Sequence, residues 1–195
     1  TSEDNTLKKW NAISGELLYT FFAVDSTGYL AIDKDGHYDG TEAARKMLYY
    51  VCGSEIVDLE QFKDLSWEPG LVSKLNGTNK EPITAKKITD INICNYTPLV
   101  EEKGISKGVY HYLITPRRGS VGEVQLFVNG KLVEKYDPAS LLKINNNYAL
   151  DIDDKKISEY LVSEPGNYLM VKATTKEGMM QSRGAYQAVV NKKTI

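Results

Sequence analysis

His37, His111, Cys52 and Cys94 are the only histidines and cysteines in this chain of 195 residues. The nucleophilic pair they could form is a thiolate activated by an imidazole base. No local peptidase signature surrounds any of the four. Cys52 closes a helical pattern and Cys94 lies in a strand pattern, each within an apolar run. The two read as buried free thiols, with a disulfide as the alternative. Zinc is disfavoured, because no two of these ligands are closely spaced. Asp33, Asp35 and Asp39 raise calcium, but an EF-hand loop needs Gly at its sixth position and Glu at its twelfth. Here Gly36 comes fourth and His37 fifth, so a tight turn fits better. Asp151, Asp153 and Asp154 form a second acidic cluster, a calcium site or a solvated turn. RRGSVGE, residues 117–123, has glycines and a basic pair but lacks the strand–loop–helix setting and Lys-Ser/Thr ending of a phosphate loop. These residues lead us to expect no catalytic set, no metal and no cofactor.

Tyrosine is abundant, with 13 residues. Tyr110 and Tyr112 alternate along a strand pattern with His111 between them. The three are a possible binding face for a protein or glycan ligand, with sheet and core packing as the alternative.

Composition bounds the partners. Net charge is −2 and Lys and Arg are scattered, which gives no case for nucleic acid. No run approaches the ~18 apolar residues of a membrane helix. The chain starts at Thr1 without a Met, so its true N-terminus is expected upstream and targeting is not legible.

The elements that must position these residues fall into two textures. Residues 4–18, DNTLKKWNAISGELL, read as strand, turn at Ile13-Ser14-Gly15, and strand. Phe21–Val24 and Tyr29–Ile32 form a second hairpin, followed by the turn Asp33-Lys34-Asp35-Gly36. A helix is predicted over 41–51, capped by Thr41 and stopped by Gly53. Asp58 and Gln61 predict a capping box for a short helix over LEQFKDL. Pro69 starts another over PGLVSKL, which Asn76-Gly77 stops. Residues 79–87 are polar and read as a linker. Beyond them ITDINIC, VYHYLIT, EVQLFVN, KLVEKY, NNYALDI, NYLMVKAT and RGAYQAVV are short strand patterns split by turn signals, the mark of a sandwich. In FVNGKLV the Asn129-Gly130 pair predicts a type I′ hairpin pairing Val128 with Lys131 and Leu126 with Val133. The fold class is therefore α+β hairpins and short helices over 1–78, then an all-β immunoglobulin-like sandwich over 88–195.

Three stretches carry a family resemblance. Asp4, Thr6, Leu7, Trp10, Gly15 and Leu18 are similar to the end of a WD-repeat propeller blade, with Asn11 where the usual Asp would stand; no second copy of this pattern recurs in the chain. Asp35, Gly36, Tyr38, Asp39, Gly40 and Thr41, then Leu59, Gln61, Phe62, Trp67, Pro69 and Leu71, resemble the connector of bacterial proteins that join such a propeller to a caspase-like cysteine peptidase. GSVGEVQLFVNGKLV, residues 119–133, resembles their immunoglobulin-like domain. The resemblance implies a fragment lacking the peptidase domain, so the family's catalytic His and Cys do not map onto His37, His111, Cys52 or Cys94. It implies a non-catalytic connector whose partners are the propeller and peptidase domains in cis. The rival expectation is a free-standing protein- or glycan-binding module.

Overall fold

The computed structural model describes residues 4–53, 55–88, 92–163 and 165–189. The fold is mostly β, in several antiparallel sheets with few, short helices. It divides into two compact units, Thr1–Cys94 and Asn95–Ile195.

The first unit opens with a four-stranded meander of β1 (Thr6–Trp10), β2 (Leu17–Ala23), β3 (Tyr29–Asp33) and β4 (Tyr38–Gly40). The first and third links are turns of the expected chemistry. Asn11 Oδ1 accepts from the Ile13 and Ser14 N–H groups, and Asp33 Oδ1 accepts from Asp35 and His37. Gly40 is required by close approach, because a Cβ there would lie 2.5 Å from the Tyr29 carbonyl oxygen.

The predicted helix over 41–51 is shorter than its pattern. Helix α1 spans Glu42–Met47, and the chain then extends into β5 (Tyr49–Cys52), paired with β6 (Glu55–Asp58). Tyr49, Tyr50 and Val51 are strand-favouring residues, and an adjacent pairing partner wins over helical periodicity. Thr41 occupies the N-cap position but makes no side-chain cap bond. The Asp58–Gln61 capping box forms as expected. It starts a single 3₁₀ turn, Leu59–Phe62, that runs into α2 (Lys63–Ser66). α3 spans Leu71–Leu75.

The core of this unit gathers Leu30, Tyr38, Leu59, Phe62, Leu65 and Leu71, each at most 2% exposed. Tyr38 meets Phe62 edge-on at 5.8 Å and donates its hydroxyl to the Leu59 carbonyl at 2.9 Å. Arg45 donates to the Gly40 carbonyl and to Glu60, and its guanidinium lies 4.7 Å over Trp67. Asp39 Oδ2 accepts from the Gly70 N–H. Residues 38–45 and 59–70 thus clasp one another.

Residues 79–87, read from composition as a linker, are partly held against the first unit. Glu68, 2% exposed, accepts from Lys74 and from the Thr84 and Ala85 N–H groups. Lys86 N–H donates to the Leu65 carbonyl, and Ile88 N–H to that of Asp35. Loss of solvent around a carboxylate requires such donors, and this stretch supplies them. Cys52 and Cys94 form a disulfide with Cα atoms 5.4 Å apart, which corrects the free-thiol reading. Cys52 ends a strand rather than a helix, and Cys94 lies in a turn rather than in a strand.

The second unit holds two four-stranded antiparallel sheets. One orders β11 (Leu142–Ile144), β12 (Asn147–Asp153), β8 (Val109–Thr115) and β7 (Leu99–Ser106). The other orders β10 (Lys131–Tyr136), β9 (Val124–Val128), β13 (Tyr168–Ala173) and β14 (Ala185–Ala188). Alternate residues of both feed one apolar cluster, including Tyr112, Ile114 and Ile152 from the first and Val124, Leu126, Leu169 and Val171 from the second. Asn129 and Gly130 sit at φ 51° and 80°, the I′ geometry expected. Val128 pairs with Lys131, but Leu126 pairs with Glu134, because a bulge intervenes after Leu132. Val133 still packs against the core.

Candidate functional site

Strand β8 decides where the predicted ligand face goes. Tyr110 and Tyr112 are 4% and 2% exposed and belong to the core, while His111 points to the opposite face. The three residues do not share a surface, because side chains alternate along the strand. Burial pushes the Tyr112 hydroxyl well above the usual tyrosine range, with the nearby Glu102 carboxylate adding to it.

On its own face His111 meets two partners that the sequence reading did not join to it. Asp151 on β12 is its direct cross-strand neighbour, and His111 Nδ1 lies 2.8 Å from Asp151 Oδ1. Ser106 ends β7, and its Oγ lies 2.7 Å from His111 Nε2. A carboxylate only accepts, so neutral His111 carries its proton on Nδ1 and Nε2 accepts from the Ser106 hydroxyl. This is the bonding order of a nucleophile, a base and the group that orients the base. The β7–β8 register shifts between Glu102 and Ile105, opposite His111, and bulges of this kind re-aim side chains. His111 is 32% exposed and Asp151 62%, so solvent reaches the set. The available sequence signal was the Ser106-Lys107-Gly108-Val109 turn just before His111. Asp151 lies 40 residues away and required the β8–β12 register.

His37 forms the second imidazole–carboxylate contact, with Nδ1 2.7 Å from Asp33 Oδ2. Asp33, Asp35 and His37 are the metal-capable cluster among the described residues. Asp33 already accepts three bonds, and Lys87 lies 3.0 Å from Asp35. The cluster locks the β3–β4 turn. Asp153, in the other acidic run, accepts from the Lys155 N–H and caps helix α4 (Asp154–Ile157). Both cysteine sulfurs are bonded to each other, so neither is a thiolate in this state. In the 117–123 loop, Gly122 N–H donates to the Thr174 carbonyl, tying the loop to the end of β13.

No protein-family model matches the chain, and no curated protein matches it either. Among the described residues, no helix is long and apolar enough to cross a membrane.

Proposed function

We propose that this chain is a positioning module, in which a blade-like meander with its helical connector is coupled to an immunoglobulin-like sandwich. In the whole protein it would set a WD-repeat propeller relative to a caspase-like peptidase domain. The observation that carries this reading is that residues 84–88 and Cys94 are held by other residues of the first unit. The Glu68 carboxylate, the Leu65 and Asp35 carbonyls and the Cys52–Cys94 bond all hold them. Residues held in this way are not the flexible tether that a Gly/Ser linker would be. Two sheets that share one apolar cluster support the sandwich, and an antiparallel four-stranded meander supports the blade. The rival reading, a binding module, loses its tyrosine face because Tyr110 and Tyr112 are buried.

Sequencing the reading frame on both sides of this segment tests the proposal. Propeller repeats upstream and a His/Cys-bearing α/β domain downstream are expected. Stop codons close to both ends would overturn it.

A further inference from the structure

The geometry points to a second activity: Ser106, His111 and Asp151 form a nucleophilic acyl-transfer site for a small ester. This goes beyond the positioning role.

The two hydrogen bonds run in series, Ser106 Oγ to His111 Nε2 at 2.7 Å and His111 Nδ1 to Asp151 Oδ1 at 2.8 Å. All three residues stand on paired strands, so the backbone ladder fixes their spacing. The Lys107-Gly108 turn lies beyond the last ladder pair, Ser106 with Val109, and both its residues have positive φ.

The same sheet face also carries apolar side chains. Asp151 and Ala149 are two apart on β12, and His111 and Leu113 two apart on β8, so all four share a face. Leu142 pairs directly with Ala149, and Ile144 follows it by two on β11. Leu113 is the apolar neighbour nearest the imidazole on this face; Leu142 and Ile144, 67% and 46% exposed, lie on β11, the opposite edge of the sheet from Ser106 on β7.

In the reaction, Ser106 Oγ attacks the ester carbonyl while its proton passes to His111 Nε2. The carbon–oxygen bond to the alcohol breaks, and the alcohol leaves with that proton. Water then attacks the acyl-Ser106, gives one proton to Nε2 and releases the carboxylic acid, and Ser106 recovers its proton. Asp151 accepts from Nδ1–H throughout. The balance is ester plus water to acid plus alcohol, with no oxidant or cofactor.

The test is hydrolysis of p-nitrophenyl butyrate by the whole chain, beside labelling with an alkyl fluorophosphonate followed by peptide mapping. The expected result is an adduct on Ser106 and p-nitrophenol release at least tenfold above that of both Ser106→Ala and His111→Ala, since a positioned base typically contributes about 10²–10⁴-fold. Both residues lie on the solvent side, and unchanged circular dichroism and melting of the variants confirm the fold. His111→Gln, which keeps a hydrogen-bonding side chain but is no base, is expected to be as slow as His111→Ala. Absent labelling, an adduct elsewhere, or release that survives either alanine variant would overturn the proposal.

Discussion

Glu68→Gln is the most informative single change. Glu68 is 2% exposed, pairs with Lys74 and receives the Thr84 and Ala85 N–H groups on one oxygen. Burial by itself would raise its pKa, but the Lys74 ammonium and those N–H donors outweigh it and hold the carboxyl below the usual glutamate range. An amide of the same size must aim its NH₂ at either the ammonium or the two N–H groups, leaving donor against donor. Removing one partner of a buried pair costs about 3–5 kcal/mol. For a unit of this size that corresponds to a drop of at least ~12 °C in midpoint. Both tryptophans, Trp10 and Trp67, lie in the first unit, so their fluorescence in urea reports that unit selectively. The depressed carboxyl stabilises the fold above its unfolded pKa of about 4.3, and that contribution is lost as pH falls through the lower folded value. The parent should therefore lose stability across that acid window, and Glu68→Gln should lose less. A variant within ~1 kcal/mol of the parent would refute the claim that this carboxylate holds the connecting stretch.

Two further outcomes follow from the fold. Cys52→Ser with Cys94→Ser opens a loop with a sequence separation of 42. It should cost the first unit about 4 kcal/mol by tryptophan-monitored urea unfolding, with the second unit's circular dichroism transition unmoved. Gly130→Ala places a Cβ at φ 80° and should cost the second unit about 1–2 kcal/mol by the same circular dichroism measurement.

Much of the second unit was legible because its strands alternate and Asn129-Gly130 fixes a hairpin by φ alone, but β7 was not anticipated, and the ITDINIC strand falls partly outside the described residues, with Cys94 in a turn. The bulge after Leu132 was not, since a bulge depends on twist against β9 and β13 rather than on local residue type. Helix α1 was overextended because Met47, Leu48, Tyr50 and Val51 suit a helical face and a strand equally. Only the pairing with Glu55–Asp58 decides between them. The disulfide was illegible because cysteine spacing carries no connectivity and the contact forms through the fold. For the Ser106–His111–Asp151 set, the residue types were visible, but their meeting depends on two strand registers. For Tyr110 and Tyr112 the packing alternative holds, and the sequence could not choose it because alternation does not say which face is wet.

Amide hydrogen exchange across residues 84–88 tests the central claim most directly, that the connection is bound and not a free tether. Thr84, Ala85, Lys86 and Ile88 each donate their N–H to an acceptor in the first unit. The account predicts exchange at these four slowed by at least ~10-fold relative to an unstructured peptide, and faster in Glu68→Gln. Exchange at unstructured rates in the parent chain would contradict it.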